Sequence, residues 1–482
     1  MHQGTGMKVA VIGAGWAGMA AALAHTQAGR QVTVFETART VGGRARAVQA
    51  ALPGGSPITL DNGQHILIGA YAESLRLMRL VGVDPDTALL RMPLALQYPD
   101  GQGLALPDAA PPFDALWGIA TARGWSWRDK LALMRTAMVW RLRGFVCAPG
   151  LSVADLCAGL TPRLMAQFIE PLCVSALNTP AHAASGEVFL RVLQDSLFSG
   201  RGGSNLLLPR TDLGALFPQA AVHWLDRAGG CVHAGERVTG LLPLPGGRWH
   251  VQRNAQAQVQ GHLQAHAQGM DAGARKDGGN SGKEARMPPS DALAFDHVTL
   301  ACAPGEASRL VAGVAAMRGV PTTDQHAARQ WSTLAAGLRF EAITTVYIHA
   351  PGVRLPQPML ALRNTAGHPA QFVFDRDQIN GQQGLLAFVV STSSGDRALI
   401  ESQVLQQAAA QLTLPPGQKI SAVKTVVDKR ATFACTPGLQ RPGLAVLGGL
   451  TACGDYIAGP YPATLEGAVL SGTAAARSIA AR

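Results

Sequence analysis

The sequence predicts an α/β fold, and three observations carry that prediction. The first is a β-branched run at 9–12, VAVI, which reads as a buried strand and runs directly into Gly13, Gly15 and Gly18. The second is a helical stretch at 19–27 that Gly29 stops, after which 31–36 reads as another strand ending in the carboxylate of Glu36. The third lies at the far end of the chain, where a strand at 444–448 leads to Gly454 and Asp455 and then to a helix opening within 462–471. A strand, a glycine turn and a helix describe a Rossmann-like unit, and the same order returns at the far end of the chain.

The spacing of the first turn has a physical reason. Gly13 permits the tight turn, Gly15 leaves room for a pyrophosphate against bare backbone, and Gly18 lets the following helix lie close on the strand. That helix points its N-terminal amides and positive dipole end at the phosphates. Glu36, about twenty residues past the turn, is placed to accept hydrogen bonds from a ribose 2′-hydroxyl, and an acid there disfavours a 2′-phosphate.

At 482 residues the chain is long for one core, so two domains are expected. Apolar residues at 47% against charged residues at 15% make it globular. A net charge of +10 admits nucleic acid, an anionic membrane or an acidic substrate as partner. The absence of a basic arm and of an aromatic-and-basic RNA signature removes nucleic acid and leaves anionic lipid as the better partner. The seven cysteines show no C-x-x-C pair and no zinc spacing, which fits free thiols in a reducing cytoplasm and no metal. No uninterrupted apolar run outside the glycine-rich first helix is long enough to span a bilayer, so a peripheral place on the inner membrane is expected.

Along the chain, strands at 58–60 and 66–68 enclose a polar block, Asp61, Asn62, Gly63, Gln64 and His65. Two readings stand for it: a turn whose Asp and Asn bond their own backbone, or a segment facing the cofactor. An amphipathic helix follows at 72–81. From 84 to about 201 helical periodicity takes over, with Leu131, Met134 and Met138 on one side and Arg128, Arg135 and Arg141 among the polar positions. Trp117, Trp125, Trp127 and Trp140 are interleaved there with arginine and lysine, as in a helix lying in one membrane leaflet or in an ordinary helix with a solvated basic face. More helix is expected at 171–179 and 185–197, and 231–241 reads as strand, turn and strand. The stretch 254–291 has almost no large apolar residue and is expected to be a disordered insertion in a hairpin, its His262 and His266 an unconvincing metal pair. Strands follow near 295–304, 344–349, 371–374 and 384–390, and a helix at 401–412.

Several motifs then converge. Arg39, Gly42, Gly43 and Arg44 form R-x-x-G-G-R, which resembles the motif carried by flavoproteins of the amine oxidase and phytoene desaturase superfamily. The resemblance implies that the nucleotide is FAD, with Gly43 and Arg44 near its pyrophosphate. It extends to a G-x-x-V unit ending at Val238, whose backbone the resemblance assigns to adenine, and to R-x-x-F-x-x-x-P-G at Arg430, Phe433, Pro437 and Gly438, with Phe433 on a flavin face. It also covers Gly454-Asp455 and the helix start at Leu465, implied to meet the ribityl chain and pyrophosphate, and Glu466 and Gly467, which repeat the superfamily's E-G-A. D-N-G-Q-H followed by G-A-Y resembles the squalene-associated branch, the hydroxysqualene dehydroxylases of bacterial hopanoid synthesis.

That branch implies reductive removal of an allylic hydroxyl from hydroxysqualene, a polyisoprenoid, to give squalene, with NADPH as reductant. His65 is then the expected acid, Asp61 a second acid or the group that orients His65, and Gln64 a hydrogen-bonding partner of flavin or substrate. The resemblance implies an FAD-binding domain from 1–83, 202–310 and 427–482, and a substrate domain of sheet plus helices inserted as 84–201 and 311–426. Two alternatives share the cofactor motifs: an O₂-linked desaturase or oxidase of a carotenoid precursor, porphyrinogen or amine, and a prenyl-chain escort protein without redox chemistry.

Overall fold

The computed structural model describes residues 6–198, 200–254 and 293–479. The expected disordered insertion, and with it His262 and His266, lies outside the described residues but for Asn254.

A six-stranded sheet forms the base, in the order Cys231–Ala234, Gln31–Glu36, Lys8–Ile12, His297–Leu300, Leu450–Ala452 and Ala445–Leu447. All neighbours run parallel except the last pair, a tight hairpin through Gly448 and Gly449. Lys8–Ile12 takes a central place because Val9, Ala10 and Val11 are apolar on both faces, as a strand covered from both sides must be. The strands come from three distant stretches of chain, so the sheet exists only when both termini and the middle have met.

The helices on one face, Trp16–Gln27 and Leu465–Arg477, touch backbone to backbone. A Cβ on Gly472 would lie 2.2 Å from the Ala17 carbonyl oxygen, and Ala17, Ala21, Ala468 and Ala475 make up the seam. Glu466 fastens the second helix to a third, Ala72–Leu80, by accepting from the Glu73 and Ser74 amides (2.8 and 2.9 Å) and the Ser74 hydroxyl (2.7 Å). An N-terminus presents unpaired N–H groups, and here a carboxylate from the far end of the chain satisfies them.

A second sheet has five antiparallel strands in the order Met359–Ala361, Phe372–Asp375, Leu385–Ser391, Phe340–His349 and Ser421–Phe433. Its two faces follow the period of two: Val373, Phe388 and Val390 pack with Val404 and Ala408 of helix Arg397–Gln411, whereas Phe372, Phe374 and Val389 turn the other way, into the main core. Ser421–Phe433 is a single strand through 426 and 427, where a domain boundary was expected. Lysine, aspartate and arginine within it mask the strand pattern. The stretch 84–201 is not all helix: Leu89–Met92, Ala95–Gln97 and Gly103–Ala105 are short strands, the first paired with Leu206–Pro209. Helices Phe113–Thr121, Trp127–Leu142, Glu170–Leu177 and Gly186–Leu197 complete that part.

Candidate active site

Between the two sheets lies a cavity of about 620 Å³. Its floor is the first glycine turn. Gly13 has φ +114°, and a Cβ there would stand 2.6 Å from the Ala301 carbonyl oxygen. A Cβ on Gly18 would stand 1.9 Å from the Gly13 carbonyl oxygen, so this glycine serves the packing of helix on turn and does not itself line the cavity. Gly15 and Gly43 face one another across open space that a Cβ on Gly15 would enter, reaching 3.9 Å from the Gly43 Cα.

Glu36 ends its strand with each carboxylate oxygen accepting one backbone N–H, Ala14 at 2.7 Å and Ala38 at 2.8 Å. Each oxygen retains further acceptor capacity, and Glu36 lines the cavity. Arg44 clasps the two ends of the chain together: Nη2 pairs with Asp455 Oδ1 at 2.5 Å and Nη1 donates to the Ala431 carbonyl at 2.7 Å. Gly454, at φ +152°, donates its N–H to Ser471 Oγ at 2.7 Å. Leu465 is the first residue of the C-terminal helix, capped by Thr464, and both line the cavity. Val238 borders the opposite end, its carbonyl accepting from Arg309 at 3.3 Å.

The second wall is the D-N-G-Q-H loop, held against the five-stranded sheet. The Gln64 amide meets Thr345 Oγ1 at 3.4 Å, and the Tyr347 hydroxyl donates to the Asp61 carbonyl at 3.0 Å. Gln64 and His65 line the cavity, where His65 Nδ1 lies 2.8 Å from the Gly63 carbonyl oxygen. A carbonyl only accepts, so Nδ1 carries the hydrogen and Nε2 of the neutral ring is left as an acceptor. Burial lowers the His65 pKa; its Gly63 bond and the Asp428 charge oppose this and Arg44 adds to it.

Asp61 does not join this wall. It is 1% exposed, absent from the cavity lining, and its carboxylate accepts from the Leu213 amide at 2.9 Å. The expectation that Asp61 acts as an acid or orients His65 is therefore corrected: the Gly63 carbonyl orients His65, and Asp61 serves a helix start. Burial, against the Leu213 bond and Arg376, raises the Asp61 pKa to about 6. Phe433 is likewise buried away from the cavity, which its neighbours Ala431 and Thr432 reach instead.

Sequence reasoning missed several residues that the fold brings to or behind these walls. Arg376, 1% exposed, donates from Nη1 to Gln64 Oε1 at 2.9 Å and from Nε to Gln382 Oε1 at 3.1 Å, which fixes the Gln64 amide. Asn178, at φ +44°, bridges the helical part and the sheet through Thr432 Oγ1 (2.9 Å) and the Thr392 amide (2.8 Å). Asp428 shares the wall with His65. Nothing local in the sequence distinguishes these from ordinary polar residues. Ile66, Val174, Ile343, Phe372, Phe374 and Val389 contribute an apolar part of the lining, while Glu236, Arg237 and Glu306 are among its further charged residues.

The cavity fits a flavin dinucleotide on three counts. The Gly15 and Gly43 cradle accepts a group that approaches bare backbone. The Trp16 indole N–H and the Tyr456 hydroxyl, both on lining side chains, are buried without a hydrogen-bond partner. Glu36 and Asp455 stand toward opposite ends of the turn system as acceptors for hydroxyl groups. Among the described residues no cluster of His, Cys, Asp and Glu could hold a metal ion.

The NAD(P)-binding Rossmann-like domain family matches residues 11–81, and the flavin containing amine oxidoreductase family matches 274–480. The chain is 27% identical to a hydroxysqualene dehydroxylase of Rhodopseudomonas palustris and 25% identical to one of Sinorhizobium fredii, in each case over 97% of both chains. A crystal structure of an oxidoreductase from Methanosarcina mazei shares the fold, with a TM-score of 0.68 at 16% identity over 98% of this chain and 100% of that one. Taken with the two glycine turns and the cavity between the sheets, these likenesses make the chain a member of the flavin-containing amine oxidase superfamily and an FAD-dependent oxidoreductase.

Proposed function

We propose that the chain reduces hydroxysqualene to squalene, removing the allylic hydroxyl as water, with NADPH as the source of the reducing equivalents. The observation that carries this reading is the D-N-G-Q-H loop, which sets Gln64 and His65 into the lining of a cavity that also carries Ile66, Ile343, Phe372 and Val389; the full-length likeness to hydroxysqualene dehydroxylases supports it. When bound and reduced, FAD supplies a hydride. The chain's own residues hold it: Gly13, Gly15 and Gly43 admit the pyrophosphate, Glu36 takes the ribose hydroxyls, Val238 the adenine edge, Asp455 and Leu465 the ribityl end, and Arg44 neutralises phosphate charge while clamping both ends of the chain.

A C–O bond breaks readily only if the leaving oxygen receives a proton. His65 Nε2 faces this task. In its neutral form it accepts a hydrogen bond from the substrate hydroxyl and orients it, and as imidazolium it donates the proton. Asp428, on the same wall, is the anion that favours the imidazolium. Gln64, with its oxygen taken by Arg376, presents an immobilised amide beside it. The apolar lining takes the polyisoprenoid chain and excludes competing water.

The test is anaerobic: the dithionite-reduced holoprotein is mixed with hydroxysqualene, and squalene and flavin reoxidation are scored together. Stoichiometric squalene is expected. Flavin that stays reduced in the presence of hydroxysqualene, while the oxidised protein is reduced by an amine or a carotenoid precursor, would instead assign an oxidase or desaturase.

A further inference from the structure

We propose that helices Phe113–Thr121 and Trp127–Leu142 form a docking surface that lies in the headgroup layer of an anionic bilayer. Among the described residues eleven large apolar side chains are exposed, and ten of them fall within 113–151. On the longer helix Trp127, Leu131, Met138 and Leu142 recur along one line of the solvent face, while Leu133 and Trp140 point into the core. Trp117, 64% exposed, Trp127, 69%, and Leu142, 80%, stand where soluble surfaces carry polar groups, with the Arg128 guanidinium 5.6 Å from the Trp127 ring centroid.

Charge selects the occupant. Arg123, Arg128, Arg135, Arg141 and Arg143 are exposed on the same stretch, whereas its two acids, Asp114 and Asp129, are buried. Asp129 is spent internally, on the Ser126 cap and on Thr161 Oγ1 at 2.6 Å. The outward charge of this stretch is thus wholly positive. A second copy of this chain would set that charge against itself; an anionic lipid surface meets it with opposite charge and takes the apolar side chains as well. The helix of 16 residues is about 24 Å long and no described helix is long and apolar enough to cross a membrane, so the surface lies along the bilayer.

The surface also joins the cavity. Thr161 and Arg163, bonded and paired to Asp129, begin a run from Pro162–Leu164 through the π-turn Met165–Ile169 into Glu170–Leu177, whose Val174, Ser175 and Ala176 line the cavity. One helical unit therefore carries both the lipid-facing side chains and part of the cavity wall, an arrangement suited to drawing an apolar substrate out of lipid. That last link rests on the proposed substrate; the surface does not.

The FAD-loaded full-length protein, without substrate, is sedimented with vesicles of dioleoylphosphatidylglycerol and dioleoylphosphatidylcholine in equal parts, and with the latter alone. Binding at least about tenfold tighter to the anionic vesicles, weakened by about 0.5 M salt, is expected. Leu131→Ser with Leu142→Ser should weaken it by on the order of a hundredfold with flavin content unchanged. Should that variant misfold, brominated phosphatidylcholine in the anionic vesicles should quench tryptophan fluorescence of the wild-type protein, and Trp117→Phe with Trp127→Phe should remove the quenching. Failure of the wild-type protein to bind anionic vesicles, an unchanged affinity in a folded variant, or light scattering that shows a dimer dissolved by the same substitutions without a change in vesicle binding, overturns the proposal. Hydroxysqualene turnover in detergent reports on the substrate separately: turnover without vesicle binding overturns the surface alone.

Discussion

At His65 the backbone decides which nitrogen is left to accept. Because the Gly63 carbonyl takes the Nδ1 hydrogen, Nε2 is the acceptor of the neutral ring, the nitrogen to which the proposed reaction assigns the substrate, and burial lowers the pKa. With the folded pKa below the ordinary 6.5, the protonated fraction rises as pH falls from about 8 toward 6.5 and beyond, so a step that needs His65 as acid should quicken throughout that fall. His65→Ala should keep the flavin and lose about 10²–10⁴-fold in turnover together with that pH dependence. Asp61→Ala should do the reverse. It leaves the buried Leu213 N–H unpaired and costs about 1–3 kcal/mol in stability, with turnover per flavin little changed. Turnover and urea midpoints measured on both variants decide the matter; a His65 variant that still makes squalene at the wild-type rate removes His65 from the reaction. The polar block at 61–65 could be recognised as unusual from sequence, but not divided into a structural Asp61 and a cavity-facing Gln64 and His65. The Leu213 amide that claims Asp61 and the Arg376 guanidinium that claims Gln64 lie 152 and 312 residues away.

At the scale of elements, what is legible is what is local. The first strand, its glycine turn, its helix and the carboxylate of Glu36 fall within one short window, and their geometry follows from steric rules about glycine and buried strands. Ser421–Phe433 is harder to read because it is half covered, and its exposed positions carry Lys429 and Arg430. Glu466 and Gly467 illustrate a motif whose residues serve packing: one caps helix Ala72–Leu80, and a Cβ on the other would stand 1.9 Å from the Tyr461 carbonyl oxygen. Gly472 is the sharper case, since it lets the C-terminal helix lie directly on helix Trp16–Gln27. Gly472→Val must push two helices apart that jointly floor the cofactor cavity. A loss of several kcal/mol in stability and of most bound flavin is expected, beyond what a helical Val for Gly would otherwise do by propensity alone. Flavin-to-protein absorbance and thermal melts check it, and a variant that retains flavin with an unchanged melt would show that the helices have room to yield.

On the scale of the whole molecule, the three stretches that build the parallel sheet are stitched by a buried polar chain. Arg30 donates from Nη1 to the Ala476 carbonyl at 2.7 Å and to His25 Nδ1 at 3.0 Å; His25 Nε2 reaches Thr299 Oγ1 at 3.1 Å, Thr299 reaches Thr451 Oγ1 at 3.2 Å, and Thr451 reaches His297 Nε2 at 2.9 Å. A guanidinium only donates, so His25 Nδ1 accepts and Nε2 carries the hydrogen, and the donors can then run in one sense to His297. A proton added to either imidazole breaks that order. Burial, then Arg30 and His297, lowers the His25 pKa to about 3; burial, then Arg30, lowers that of His297 to about 4. The unfolded chain takes up these protons near the ordinary 6.5, the folded chain only well below it. Each histidine's contribution is therefore complete above about pH 6.5 and is lost as pH falls toward its folded value, at a limiting slope of about 1.4 kcal/mol per pH unit per histidine. His297→Gln, which cannot take up a proton yet carries an amide in reach of the position of Nε2 that bonds Thr451, should remove one such slope. Urea unfolding of the holoprotein between pH 7.5 and 5 should show wild-type stability falling more steeply than that of the variant, and parallel curves would mean that His297 titrates no differently in the folded chain than in the unfolded one.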